Sequence, residues 1–274
     1  MMIGIEFGQI GAIAGKEFRD RLRNRWVLAV AAVFTIFALV IAYFGAAQQG
    51  AVGWRSIDVT IASLVSLVIY LIPLIALLLG YDAIVGERER GSLDLLLSMP
   101  ITRFEVLLGK FGGLAGAIGV ATVASFGLGG LLLFYQLGSS ALFHYSGFVL
   151  SAFLLSLCFL SLAVMVSVLA EDRMRASGIA IALWFFYVLV YDLLLLGLLV
   201  VSEGKLNLNF FPVLLMLNPA DIFRILNIFG FEDVQRLYGL ATVFPETLAN
   251  PWLLGSTMVF WIIAPLGVAA WRFK

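Results

Sequence analysis

Long apolar runs with few charges recur along the whole chain, and they constrain its fold more than any other feature. Each run is at least as long as the roughly 20 residues that an α-helix needs to cross a hydrocarbon core of about 30 Å. Of the 274 residues, 62% are hydrophobic and only 12% are charged, which is more apolar surface than a water-soluble core can absorb. The sequence therefore predicts an all-α polytopic membrane protein, a single domain over residues 1–274 with six spans at 26–47, 60–81, 106–137, 147–170, 178–201 and 251–271.

The segment before the first span, residues 1–25, has the pattern of an amphipathic helix. Its larger apolar side chains recur at every fourth position, at Ile10, Ala14, Phe18, Leu22 and Trp26. The other faces carry Lys16, Arg19, Arg21, Arg23 and Arg25. A basic amphipathic helix lies in the plane of a membrane interface. We therefore expect residues 1–25 to form an interfacial helix.

The distribution of lysine and arginine predicts the orientation of the spans. With the N-terminus inside, the basic residues of segments 1–25, 88–110 and 173–175 and of the C-terminus fall on the cytoplasmic side. The outer side then keeps only Arg55, Lys205, Arg224 and Arg236. Because cytoplasmic loops carry the excess of basic residues, both termini are predicted to be cytoplasmic.

The outer segment 202–250 is apolar in parts but is not predicted to form a seventh span. Asn218 and Pro219 form an N-cap and first-turn pair ahead of an apolar stretch, and Gly230 supplies a stop. We expect short helices at the outer interface or dipping into it.

The segment between the second and third spans reads GERERGSLDLLLSMPITRFEVLLGK over residues 86–110. It opens with Glu87, Arg88, Glu89, Arg90 and Gly91. Leucines then follow at i, i+3 and i+4, which gives a helix one apolar stripe, formed by Leu93, Leu96 and Leu97. Pro100 ends this helix. The pattern predicts one short surface helix over residues 87–99 that a protein outside the membrane can grip.

Two patterns mark the start of the third span. Thr102 and Glu105 have the T-x-x-E spacing of a capping box, so a new helix is expected to begin there. Glycines then recur at GxxxG spacing, at Gly109 with Gly113 and at Gly112 with Gly116. This spacing favours close helix packing over a hinge, and it leaves open whether the partner helix is in the same chain or in a second copy.

Most catalytic and binding chemistry is excluded. The chain has no G-x-x-x-x-G-K-[ST] phosphate loop, so it is not expected to bind ATP by that route. Its net charge is zero, and no nucleic-acid footprint is visible. The single cysteine, Cys158, and single histidine, His144, do not form a metal-binding pattern with the scattered methionines. The sequence therefore predicts neither an enzyme nor a cofactor or metal site in this chain.

Asp192 is the candidate functional group within the membrane. It lies in the outer half of a span, where a carboxylate is costly unless it is paired or in contact with water. Arg224 and Arg236 are possible partners, and Asp192→Leu is expected to strand that partner. A structural ion pair and a role in gating or translocation both remain open. A protease dyad with Asp82 is excluded, because the two carboxylates would be about 20 Å apart along their helices.

The sequence of residues 86–110 resembles that of ABC-2-type transporter permeases, in which the loop between the second and third spans forms a coupling helix that docks on a separate ATPase. The resemblance implies an ATPase-coupling role for the residues predicted to form this helix: Glu87, Arg88, Glu89, Arg90, Gly91, Leu93, Leu96 and Leu97.

Four other stretches extend the resemblance over nearly the whole length and narrow it to the permeases of nitrous-oxide-reductase maturation transporters, the NosY type. These stretches are KEFRDRLRNRWVLA, TIASLVSLVIYLIPLIALLLGYDAIVGE, VYDLLLLGLLVVSEGK and LLMLNPADIFRILNIFGFE. The narrower resemblance implies a homodimer in the bacterial inner membrane, a pair of cytoplasmic ATPases that bind ATP and magnesium, and a periplasmic partner. The system would serve copper-site assembly in denitrification.

Three hypotheses on function therefore stand side by side. The first is an ABC permease that is driven by ATP hydrolysis in a partner and moves a solute in either direction. The second is a membrane anchor that passes ATP-driven motion to a periplasmic protein without moving a solute. The third, an autonomous secondary transporter, would call for discontinuous helices and paired charges near the midplane.

Overall fold

The fold is described here from a computed structural model. It covers residues 6–23, 57–137, 139–202, 211–228 and 250–273, together with isolated positions between 32 and 43. Every regular element in these ranges is a helix. In chain order they are α1 (Phe7–Leu22), α2 (Ile57–Gly80), α3 (Val85–Glu89), α4 (Ser92–Leu97), α5 (Arg103–Leu137), α6 (Ser139–Leu169), α7 (Arg173–Phe185), a π-helical turn (Phe186–Val190), α8 (Tyr191–Val201), α9 (Phe211–Met216), α10 (Pro219–Ile228) and α11 (Pro251–Arg272).

Five stretches of the described chain are long and apolar enough to cross a membrane, as expected for an all-α polytopic protein. They are Ile61–Glu89, Arg103–Leu131, Tyr145–Leu169, Arg173–Val201 and Pro251–Arg272. The predicted first span, 26–47, lies outside the described residues apart from the isolated positions. The count of six spans therefore stays a prediction.

Helix α6 forms the centre of the bundle and packs against α2, α5, α10 and α11. Its small polar side chains allow this close packing, because they can bond to helix carbonyl groups without needing water. The Ser161 hydroxyl donates to the Trp261 carbonyl of α11 at 3.0 Å, and the Cys158 thiol donates to the Met258 carbonyl at 3.3 Å. These contacts attach α11 to the core of the bundle.

Helices α5 and α6 are longer than a membrane requires. They contain 35 and 31 residues, which is about 52 Å and 46 Å at the helical rise of 1.5 Å per residue. The predicted spans 106–137 and 147–170 left a connecting loop that contains His144, and this prediction was wrong, because α6 already begins at Ser139. Since the hydrocarbon core is only about 30 Å thick, part of each helix lies outside it.

Helix α1 packs along the first turns of α5, and glycines make this possible. A Cβ atom added to Gly113 would lie 2.6 Å from the Ala14 carbonyl oxygen and 2.7 Å from the Glu17 Cβ atom. One added to Gly109 would lie 2.7 Å from the Ile13 Cβ atom. The prediction that these glycines serve helix packing is confirmed, and the partner helix is in the same chain.

Helix α10 begins where the local signal predicts. The Asn218 side-chain oxygen accepts a hydrogen bond from the Ala220 backbone N–H at 3.0 Å, and α10 starts at Pro219. Helix α10 has 10 residues, which is too short to cross a membrane. Its Ile222 and Phe223 side chains are fully buried in the bundle.

Candidate functional site

The loop between α2 and α5 contains two short helices, where the sequence predicted one helix over residues 87–99. Helix α3 ends at Glu89 and α4 begins at Ser92. Between them, Gly91 has a φ of 70°, a left-handed conformation that glycine adopts without steric cost. This residue turns the chain between the two helices, and so the single predicted helix was wrong.

Three of the four charged residues at the start of the loop bond to other helices of the bundle or to the turns beside them. The Lys110 ammonium lies 2.8 Å from the Glu87 carboxylate. The Arg88 guanidinium donates to the carbonyl groups of Ala170 and Val168, at 3.0 and 3.2 Å.

Glu89 and Arg90 complete the run. The Glu89 carboxylate accepts a hydrogen bond from the backbone N–H of Arg173 at 2.7 Å, and Arg90 is exposed. The run therefore fastens the loop to α5, to the end of α6 and to the start of α7, in addition to presenting charge at the surface.

The leucine stripe of α4 faces inward. Leu93 is buried, and Leu96 and Leu97 pack against the core of the bundle. The apolar side chains that the loop exposes are Leu95, at 71%, and Met99, at 52%. The spacing of the stripe correctly identified an apolar face, and this face packs against the protein's own core. That an outside protein contacts these leucines stays a prediction.

The turn before α3 is held by α6 and α7. The Ser167 hydroxyl oxygen accepts hydrogen bonds from the backbone N–H groups of Ile84 and Val85, at 2.9 and 3.0 Å. The Asp82 carboxylate lies 2.6 Å from the Arg173 guanidinium. Asp82 and Asp192 therefore pair with different arginines, in agreement with the exclusion of a protease dyad.

A buried cluster of three charges, the Lys110 cluster, lies where this loop meets α1 and α5. Its members are Lys110, Glu87 and Glu17, and the Lys110 side chain is only 3% exposed. The Lys110 ammonium is 3.3 Å from the Glu17 carboxylate, which also pairs with Arg21 at 2.9 Å. Sequence reasoning missed Lys110 and Glu17. The signal that could have found them is a lysine inside an apolar run, which has to find a partner.

The Glu17 carboxyl group makes the stability of this region depend on pH. Burial opposes its ionisation, but the charges of Lys110 and Arg21 outweigh burial and hold the pKa of Glu17 below its ordinary value of 4.5. Because the pKa is lowered in the folded protein, the stabilisation by ionised Glu17 is fully present above the ordinary value and is lost as the pH falls through the lowered value.

We therefore expect the difference in unfolding temperature between the parent protein and a Glu17→Gln variant to be constant from pH 8 to about pH 5 and to shrink below that. Thermal unfolding in detergent at a series of pH values measures this difference. A difference that already shrinks between pH 8 and pH 6 would contradict the assignment.

Asp192 belongs to a second cluster, the Arg224 cluster, which also contains Asp221. The Arg224 guanidinium lies 2.9 Å from the Asp192 carboxylate and 2.7 Å from the Asp221 carboxylate. The Asp221 side chain is 1% exposed, and it also accepts a hydrogen bond from Asn218 at 2.9 Å. The predicted pairing of Asp192 with Arg224 is confirmed. Arg236 lies outside the described residues, and Asp221 was missed because its helix was read only as an interfacial segment.

A π-helical turn ends two residues before Asp192 and contacts the short helices α9 and α10. The Asn218 side-chain amide donates to the Tyr187 carbonyl inside the turn at 2.9 Å. The Tyr191 hydroxyl donates to the Leu214 carbonyl at 2.6 Å. Single π-helical turns are frequent at functional sites. Here the Tyr187 carbonyl of the turn contacts the N-cap residue of α10, and Tyr191, the residue after the turn, contacts α9.

No group of three or more His, Cys, Asp or Glu side chains within the described ranges is arranged to hold a metal ion. The expectation that this chain carries no cofactor stays a prediction.

The profile of the family described as "ABC-2 family transporter protein" matches residues 11–274. The chain belongs to the ABC-2 family of transporter proteins. The resemblance stated from residues 86–110 is thus confirmed, and the protein is a multi-pass membrane component of an ABC transporter. Membership of this family implies an ATPase subunit as partner.

Two curated relatives narrow the likeness. The chain is 44% identical over 270 residues to a probable ABC transporter permease protein NosY of Stutzerimonas stutzeri, covering 97% of this chain and 98% of the relative. It is 43% identical over 271 residues to a probable NosY permease of Pseudomonas aeruginosa, with the same coverage. The narrower resemblance to permeases of the NosY type is therefore also confirmed.

Proposed function

We propose that this chain is the membrane subunit through which a separate cytoplasmic ATPase drives transport or mechanical signalling across the bacterial inner membrane, in the copper-site maturation of nitrous oxide reductase. The observation that carries the proposal is the 44% identity to a NosY permease over 97% of the chain. In this proposal both termini are cytoplasmic, the ATP and magnesium belong to the ATPase, and a periplasmic protein is the third component.

The loop between α2 and α5 supplies the contact with the ATPase in this proposal. Arg90, Leu95 and Met99 form its exposed edge, here called the docking edge. Apolar side chains exposed on a loop with a charged rim are typical of a protein interface. The inward-facing residues of the predicted coupling helix, such as Leu93, then hold the docking edge in position.

We expect a Leu95→Ser, Met99→Ser double variant to weaken ATPase binding by at least about tenfold. Burying one such side chain contributes about 1.5–3 kcal/mol, and 1.4 kcal/mol corresponds to a tenfold change in affinity. The measurement is ATPase retention on the detergent-purified permease, followed by native mass spectrometry.

The control is Val201→Ser, an apolar residue that is 84% exposed and lies at the end of the Arg173–Val201 span that is far from this loop. Retention of the ATPase by the double variant at the level of this control would contradict the docking edge. The native mass also tests the expected homodimer, which requires two permeases and two ATPases in the parent complex.

Two other functions remain as alternatives, an ABC-2 exporter of a different solute and an autonomous secondary transporter. The observation in favour of the latter is the Arg224 cluster beside a π-helical turn, since secondary transporters place paired charges near interrupted helices. Reconstitution with and without the ATPase separates these functions when ATP hydrolysis, solute uptake and reductase maturation are all followed. Mechanical signalling predicts hydrolysis and maturation without solute flux, and a secondary transporter predicts flux without the ATPase.

A further inference from the structure

The Lys110 cluster connects three helices that are far apart in the sequence. Glu17 lies on α1, Glu87 on α3 and Lys110 on α5, and the ammonium group lies between the two carboxylates at 3.3 and 2.8 Å. We propose that this cluster joins α1, the loop between α2 and α5 (here called the docking loop) and the start of α5 into one unit that moves together, with Glu17 and Lys110 as positioning residues for ATPase coupling. This inference rests on the proposed function.

Burial makes the cluster difficult to open. The Lys110 side chain is 3% exposed, so water cannot replace either carboxylate while the helices stay packed. Separating α3 from α5 would take the nearer of two carboxylates away from the buried Lys110 ammonium, and the loss of a partner costs more for a buried charge than for a surface pair. A displacement of the docking loop therefore displaces α5 as well, because the Lys110 cluster stays closed.

The same loop also contacts α6 and α7. Arg88 and Glu89 are exposed residues that bond to backbone groups at the end of α6 and the start of α7. The buried Ser167 hydroxyl of α6 accepts hydrogen bonds from the backbone N–H groups of Ile84 and Val85, at 2.9 and 3.0 Å. The loop is therefore held on both sides, and the Lys110 cluster is the charged contact that connects it to α1 and α5.

Two further contacts fix α1 to the same unit. The Glu105 carboxylate of α5 accepts a hydrogen bond from the Glu6 backbone N–H at 2.6 Å, just before α1 begins. Gly113 lets the backbone of α1 approach so closely that a Cβ atom there would lie 2.6 Å from the Ala14 carbonyl oxygen. Helix α1 is therefore held at its start and along its length, and it has to move with α5.

A cluster that couples the three helices predicts an effect that a loop which only binds the ATPase does not predict. Glu17 lies outside the docking edge, yet we expect Glu17→Gln to lower the ATP turnover stimulated by the permease several-fold while ATPase occupancy stays at the parent level. Glu87→Gln should do the same. The double variant should be worse than either single variant, because only the double change leaves the buried Lys110 ammonium without a carboxylate.

Two controls accompany these variants in the complex with the ATPase. Lys16→Met removes an exposed charge from α1, with a long pair to Asp20 at 3.9 Å, and should leave turnover unchanged. Lys110→Arg keeps a cation between the two carboxylates and should retain more stimulation than Lys110→Met. Turnover is expressed per folded complex, with the unfolding temperature measured in parallel.

A measurement on the parent complex needs no substitution. Hydrogen exchange with the ATPase in its ATP-bound and ATP-free states should change in α1 and in residues 103–113 together. Unchanged exchange in α1, or parental stimulation by Glu17→Gln at full occupancy, would overturn the inference while leaving the proposed function standing. A parent permease that neither binds nor stimulates its ATPase would overturn the proposed function and the inference with it.

Discussion

Replacing Arg224 with methionine is expected to destabilise the protein by about 3 kcal/mol, because it leaves two carboxylates close together without a cation. Asp221 is 1% exposed and cannot gain water in place of the guanidinium. The estimate is at the low end of the range for breaking a buried ion pair, since Arg224 itself is 29% exposed. Thermal unfolding of the detergent-purified variant measures the loss, and reductase maturation measures the functional effect.

Asp192→Asn is the matched control for this variant. It keeps the pair between Arg224 and Asp221 at 2.7 Å and removes only the charge of the more exposed carboxylate, so we expect a loss of about 1 kcal/mol or less. The same reasoning corrects the expectation that Asp192→Leu strands its partner, because Arg224 keeps Asp221. An Asp192→Asn variant that is stable but fails in maturation would give Asp192 a role in the cycle. Equal destabilisation by both variants would contradict the arrangement of the cluster.

Two neighbouring glycines of α5 are expected to respond in opposite directions to alanine. At Gly113 the new Cβ atom would lie 2.6 Å from the Ala14 carbonyl oxygen, so α1 has to shift away. Overpacking of this kind costs about 1–3 kcal/mol. At Gly112 the nearest atom is the Ala14 Cβ at 3.8 Å, an ordinary contact. Since alanine favours a helix over glycine by up to about 1 kcal/mol, Gly112→Ala should be neutral or stabilising.

The unfolding temperatures of the two glycine variants, together with limited proteolysis between α1 and the first predicted span, test this contrast. Faster cleavage is expected for Gly113→Ala alone. If both alanine variants changed stability in the same direction and by the same amount, the close packing of α1 on α5 would be contradicted.

Signals that operate within one helix could be predicted from the sequence. The apolar runs identified the helices long enough to cross a membrane, and the capping box was correct: the Glu105 carboxylate accepts hydrogen bonds from the Thr102 backbone N–H and hydroxyl, both at 2.7 Å. The start of α10 at Pro219 was also correct. These features depend on residues a few positions apart, and such distances are fixed by helical geometry itself.

The position of the candidate site along the chain could be predicted, but the three-dimensional arrangement of its side chains could not. Residues 86–110 identified the family, and Asp192 was correctly expected to need an arginine. The direction in which the Leu93 stripe points and the partner of Glu87 could not be predicted, because each depends on segments distant in the sequence. Lys110 and Glu17, for instance, are separated by 93 positions.

The sequence by itself thus determined that the chain is a helical membrane protein of the ABC-2 family, because span length, capping and the 86–110 segment are local properties. Only the tertiary structure decided that α1 lies on the glycines of α5, that Leu95 and Met99 form the exposed edge, and that Lys110 joins three helices. The physical reason is that the residue type limits the kind of surface against which a charge or an apolar stripe can be stable. Which of the available surfaces it contacts depends on how distant segments pack.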